Sequence, residues 1–150
     1  MKKNILLGTL VFTLICSYSF ANDKDKGIIE RAKASFRNEF VNAEAVQWED
    51  LGLFVKASFR MNDQVLYAFF DPDGDLLAVT RNILSDQLPI PLLTLLEKKY
   101  PGYWITDLFE LYTGGETSYY ITLKNGDREK VLKSVAGGGW EVYRTKKVLL

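Results

Sequence analysis

From Gly27 to Phe40 the apolar residues Ile28, Ile29, Ala32, Phe36 and Phe40 recur at spacings near three and four, and Glu30, Arg31, Lys33, Arg37 and Glu39 fill the positions between them. That period gathers the apolar side chains on one side of a helix and leaves the charges on the other. After Asn42 the pattern shortens. Runs at Ala45 to Glu49, Phe54 to Met61, Val65 to Asp71 and Leu76 to Arg81 are separated by Asp50-Leu51-Gly52, Asn62-Asp63-Gln64 and Asp71-Pro72-Asp73-Gly74. Alternation bounded by turn-forming residues predicts four short strands. Connections this brief predict antiparallel hairpins, because parallel neighbours need a long crossover.

The same sequence of patterns then recurs. Leu88-Pro89-Ile90-Pro91 opens a second helix with Leu92, Leu93, Leu95, Leu96 and Tyr100 on its apolar side, and Pro101-Gly102 closes it. Pro suits a first helical turn and Gly a helix end. Runs follow at Tyr103 to Tyr112, Ser118 to Lys124, Glu129 to Val135 and Trp140 to Lys146, parted by Thr113-Gly114-Gly115, Asn125-Gly126-Asp127 and Ala136-Gly137-Gly138-Gly139. Asn125-Gly126 is the strongest short hairpin signal in the chain. The expectation is an α+β fold: a tandem repeat of one helix plus four antiparallel strands, over about 27–84 and 85–148. The halves would form one continuous curved eight-stranded sheet with both helices on one face. Phe40 would correspond to Tyr100, Asn62 to Asn125 and Gly74 to Gly138, at a period of about 60 residues.

Alternation also assigns the sheet's two sides. Val55, Ala57 and Phe59, then Leu66, Ala68 and Phe70, then Tyr119, Ile121 and Leu123 belong against helices. The opposite side receives Phe54, Lys56, Ser58 and Arg60, then Tyr67 and Phe69, then Tyr120, Thr122 and Lys124. Aromatic rings beside Lys and Arg suit protein recognition. Phe54, Lys56, Arg60, Tyr67, Phe69, Tyr120 and Lys124 are therefore the candidate binding residues; face-to-face pairing of two copies is the competing use of that surface.

Residues 1–21 read as a secretory leader. Lys2 and Lys3 precede an apolar run from Ile5 to Cys16, and Ser19-Phe20-Ala21 supplies small residues at a cleavage site. The remaining chain, 22–150, is the size of one domain. Anchoring as a lipoprotein through Cys16 is the alternative, and the bulky Ile15 before it argues against that. The chain has one Cys, which falls in the leader, and no His. It thus lacks, after cleavage, the side chains behind most nucleophilic, acid–base and transition-metal chemistry near neutral pH. With 19 basic and 19 acidic residues overall and no basic tract, it also lacks the charge pattern of a nucleic-acid binder.

No catalytic constellation, metal set or cofactor motif emerges. Asp71-Pro72-Asp73-Gly74-Asp75 begins like a calcium loop, but its twelfth position is Asn82 rather than Glu, and Asp-x-x-Gly is an ordinary turn. Gly137-Gly138-Gly139 lacks the Lys-Ser/Thr and the helix of a phosphate loop. Glu49-Asp50 alternate across a strand, and neither they nor Asp107 with Glu110 promise two carboxyls opposed across a cleft. No Ser is followed three residues later by Lys.

Phe40-Val41-Asn42-Ala43-Glu44-Ala45-Val46-Gln47-Trp48, Lys56-Ala57-Ser58-Phe59 and Ala68-Phe69-Phe70-Asp71-Pro72-Asp73-Gly74 carry a family resemblance. So do Leu88-Pro89, Lys99-Tyr100-Pro101-Gly102-Tyr103 and Tyr120-Ile121-Thr122-Leu123-Lys124-Asn125-Gly126. Together they resemble the PepSY-like, beta-lactamase-inhibitor-like exported proteins of Bacteroidetes-type bacteria over nearly all of 28–145. Val41 stands where that family usually has Pro, and the Ala136–Gly139 turn replaces its usual Asp-x-x-Gly. The resemblance implies the tandem fold and a role in binding or inhibiting another protein; it supplies no functional residues. The expectation is an exported, periplasmic or secreted, non-catalytic module without a cofactor, whose partner is another exported or envelope protein. A carrier enclosing a small apolar ligand is the alternative.

Overall fold

A computed structural model describes residues 23–147, so the expected leader and Cys16 lie outside the described residues. Helix α1 (Asp23–Glu39) is followed by strands β1 (Glu44–Asp50), β2 (Val55–Met61), β3 (Gln64–Phe70) and β4 (Leu76–Asn82). A single 3-10 turn, Ser85–Gln87, then leads to α2 (Ile90–Lys99), β5 (Trp104–Thr113), β6 (Glu116–Lys124), β7 (Arg128–Val135) and β8 (Glu141–Lys147). The expected strands are all present within two residues of their predicted bounds. Two local features lie outside those expectations. The polar stretch ahead of Gly27 is already helical, as a run with neither Pro nor Gly permits. The connection after Asn82 carries the 3-10 turn, tied by the Gln87 side chain to the Leu84 amide at 2.8 Å.

All eight strands form one antiparallel sheet in chain order, β1 to β8. Two of its hairpins use two-residue turns with positive φ at both positions: Asn62 and Asp63 at 51° and 60°, Gly114 and Gly115 at 59° and 83°. Such mirror-image turns match the twist of the strands they join. The Asn125-Gly126 hairpin is built differently. Asn125 Oδ1 accepts from the amides of Asp127 and Arg128 at 3.0 and 2.8 Å, closing a longer loop with its own side chain. The Asn contributes its acceptor there rather than its tolerance of positive φ.

Register shows that both helices lie on one side of the sheet. Val55, Ala57 and Phe59 pair with Phe70, Ala68 and Leu66. Ala68 continues to Val79 and Val79 to Tyr112 in the same row direction. Leu108 pairs with Ile121, and Ile121 with Leu132. Against this side α1 buries Ala32 and Phe36 among Val55, Ala57, Phe59, Leu66, Ala68 and Phe70. Further along it α2 buries Leu92 and Leu96 with Leu108, Ile121, Leu123, Leu132 and Trp140. The Phe36 ring lies 4.9 Å from Phe59 and 5.3 Å from Trp48, both edge-on. Each large side chain buried this way supplies about 1.5–3 kcal/mol. The Trp140 indole also donates to the Leu92 carbonyl at 2.8 Å, which fastens α2 to the start of β8.

Between the two apolar clusters the helix side of the sheet turns polar. Arg81 on β4 grips Glu110 on β5 at 2.9 and 3.2 Å and donates to the Gln64 side chain. Burial, with the Glu110 charge beside it, raises the Tyr119 phenol above its ordinary value. On β7, the Ser134 hydroxyl is fully buried and has no hydrogen-bond partner among the described residues. An unpaired buried hydroxyl forfeits its hydration without return. Ser134→Ala should therefore raise the unfolding free energy by roughly 0.5–1.5 kcal/mol, read as a higher urea midpoint at unchanged slope. A lower midpoint would show that the hydroxyl is satisfied.

Candidate binding surface

The side of the sheet away from the helices is built by the alternate residues of the same strands. On β2, Lys56 and Ser58 are half-buried and Arg60 is exposed, whereas Val55, Ala57 and Phe59 are buried. On β3, Tyr67 and Phe69 are half-buried between Leu66, Ala68 and Phe70. Cross-strand pairing aligns Lys56 with Phe69 and Ser58 with Tyr67. The Lys56 ammonium lies 5.8 Å from the centre of the Tyr67 ring and 2.5 Å from Glu49 of β1. Arg60 sits 3.7 Å from Asp63. Phe54, one residue ahead of β2, is 44% exposed.

Tyr120 and Lys124 stand on the same side but apart from that group. β3 and β6 are separated by β4 and β5, about 14 Å at ordinary strand spacing. The intervening rows hold Ala78, Thr80 and Leu111. Six of the seven candidate residues thus share one side of the sheet, in two patches, while Phe54 stands in the β1–β2 loop outside the strands. The first comprises Lys56, Tyr67 and Phe69, with Arg60 toward the strand end; the second centres on Tyr120.

The second patch contains residues that sequence alternation did not single out. Phe109 of β5 stacks on Tyr120 with ring centres 5.0 Å apart and planes 8° from parallel. Tyr143 of β8 meets Tyr120 edge-on at 5.8 Å. Lys133 of β7 places its ammonium 5.4 Å from the centre of the Tyr120 ring. Two bulges bring these rings together. The pairing of β5 with β6 shifts between Ile105 and Asp107, and that of β7 with β8 shifts between Val131 and Leu132. A bulge inserts one residue and so reverses which side the following side chains face. Alternation counted forward from Trp104 would put Leu108 beside it; the shift puts Leu108 in the core and Phe109 beside Tyr120. The periodic signal that was available lay downstream, where Leu132 and Ser134 bracket Lys133.

The carboxylates are dispersed. Asp71 Oδ1 accepts from the amides of Asp73 and Asp75, both at 2.9 Å, and so clamps the β3–β4 turn. Glu110 is committed to Arg81 on the helix side, and Asp107 pairs with Thr122 on the other. Among the described residues no group of three or more His, Cys, Asp or Glu side chains is placed to hold a metal ion, and no helix is long and apolar enough to cross a membrane. A cleft of about 280 Å³ between α1 and β1 is lined mainly by Phe36, Phe40, Val41, Ala43, Val46 and Trp48. It lies at the lower margin for a small-molecule site.

No family model matches the chain, and no curated protein matches it. Solved structures do. A BLIP-like protein from Bacteroides fragilis aligns with a TM-score of 0.69 at 21% identity, covering 79% of this chain and 85% of that one. A DUF2874 family protein from Bacteroides uniformis gives 0.68 at 14%, covering 78% and 87%. A provisionally periplasmic protein from Bacteroides eggerthii gives 0.67 at 13%, covering 79% and 87%. The fold implied by the sequence resemblance is the fold this chain shares with these neighbours, one of which is called BLIP-like. At such identities the shared property is the fold, since one fold hosts many functions.

Proposed function

We propose that this chain is an exported, non-catalytic module that binds another exported or envelope protein through the side of the sheet its helices leave uncovered. The observation that carries the reading is the composition of that side: two groups of aromatic rings, with Tyr67, Phe69, Phe109 and Tyr120 half-buried and Tyr143 exposed, each group with a Lys ammonium 5.4–5.8 Å from a ring centre, at the level of the strands rather than in a pocket. Rings already packed against neighbours lose little conformational freedom on binding, and aromatic and Arg side chains dominate interface energetics. The BLIP-like and provisionally periplasmic neighbours agree with a binding role outside the cytoplasm. Neither a cofactor nor nucleic acid enters this reading.

Crosslinking in the native cell envelope, followed by mass spectrometry, tests it. Wild-type protein should capture a partner, and Tyr67→Ala or Tyr120→Ala should each weaken that complex by about 2 kcal/mol, close to thirtyfold in affinity. Capture of the same partner in equal yield by the double variant would remove this surface from consideration.

A further inference from the structure

The hairpin joining β1 to β2 breaks the usual rule for loop tips. Within four residues it exposes three large apolar side chains: Leu51 at 45%, Leu53 at 75% and Phe54 at 44%. The tip is nevertheless ordered by its own bonds. Asp50 Oδ1 accepts from the Gly52 amide at 2.7 Å, the Leu51 amide donates to the Phe54 carbonyl at 2.9 Å, and Gly52 takes a φ of 80°. Single exposed apolar residues need no explanation, but a contiguous set held in a defined loop marks a contact site.

Charge narrows the kind of partner. In a sheet that runs strictly in chain order, the β1–β2, β3–β4, β5–β6 and β7–β8 connections all emerge at one end. The residues there include Asp50, Asp71, Asp73, Asp75 and Glu116. None of these five forms an ion pair among the described residues. Arg31 reaches this end from α1, where its guanidinium donates to the Pro72 carbonyl at 3.0 and 2.7 Å; its single positive charge offsets part of this set and leaves the acids in excess. The β3–β4 turn stands two strand spacings from the β1–β2 tip, about 10 Å, comparable with the Debye length of roughly 8–10 Å in physiological salt. The tip therefore sits in a negative field, which disfavours an anionic lipid surface and favours a protein recess with a basic rim.

We infer that the Leu51–Phe54 tip inserts into an apolar recess of the partner protein whose rim carries Lys or Arg. This rests on the reading of the chain as a protein-binding module and adds a second contact, at the end of the sheet, to the one on its open side.

The test places a photo-crosslinking residue at Leu53, or separately at Thr122 on the open side, in the full-length protein in intact cells, and identifies the crosslinked segment by mass spectrometry. Leu53 is exposed, so the substitution leaves the core untouched. The expected result is one protein captured from both positions, with the Leu53 crosslink falling in an apolar segment flanked by Lys or Arg. Asp73→Lys with Asp75→Lys should then lower the Leu53 yield at least fivefold. Capture from Thr122 alone overturns the tip inference and leaves the open-side reading standing. Capture from neither position overturns both. A Leu53 crosslink to lipid, or one whose yield is unchanged by the two Lys substitutions, also overturns the inference.

Discussion

Trp140→Ala is expected to lower the unfolding free energy by about 3–5 kcal/mol, the range for truncating a large buried aromatic side chain. Trp140 is 7% exposed and lies in the cluster that joins α2 to β5, β6 and β7. Its indole also provides the hydrogen bond to the Leu92 carbonyl. Removing it opens a void beneath Leu92 and Leu96 and unties α2 from the β7–β8 hairpin. Against a typical total of 5–15 kcal/mol, such a loss leaves a marginal protein. Trp140→Phe separates the two contributions. It keeps most of the ring and loses the N–H, so it should cost only about 1–2 kcal/mol. Urea unfolding followed by far-UV circular dichroism measures both. Equal losses for the two variants would mean that the hydrogen bond, and not the packing, holds α2 in place.

The second large effect is expected at Gly74. Its φ is 93°, and a β-carbon there would meet the backbone carbon and the Cβ of Arg31 at 2.9 Å. Helix α1 rests on this turn, with Arg31 bonded to the Pro72 carbonyl. Gly74→Ala therefore adds backbone strain to a clash that α1 relieves only by lifting. Together these should cost roughly 2–4 kcal/mol. Gly52→Ala is the control, because Gly52 has a similar φ of 80° with nothing within 4 Å of the added carbon. Its loss should be about 1 kcal/mol, the backbone share alone. The excess at Gly74 measures the contact with α1, and matching losses at the two sites would show that the helix does not press on the turn.

The Gly74 case also shows where sequence reading stops. Asp71-Pro72-Asp73-Gly74 is legible as a turn because Asp accepts from the amides that follow it and Gly permits positive φ. That the same Gly is the seat of α1, whose Arg31 lies more than forty positions earlier, is invisible locally. The candidate surface divides the same way. Alternation assigned Lys56, Tyr67, Phe69 and Tyr120 to the side the helices leave open, because β2, β3 and β6 are regular and the period of two is a property of one strand. Phe109 and Tyr143 escaped it because both follow or occupy shifted pairings, and a shift depends on what the neighbouring strand does.

By itself, then, the sequence determined the helices, the eight strands, their antiparallel order and which side of the regular strands is apolar. These follow from spacing, turn residues and the unequal affinity of side chains for water, all of which act within a dozen residues. Only the tertiary structure decided that the candidate residues form two patches, that Phe109, Lys133 and Tyr143 surround Tyr120, and that Leu51, Leu53 and Phe54 share an end of the sheet with five acids that form no ion pair among the described residues. Those arrangements depend on register and bulges between strands distant in the chain, where the energy resides in pairs of residues rather than in either one.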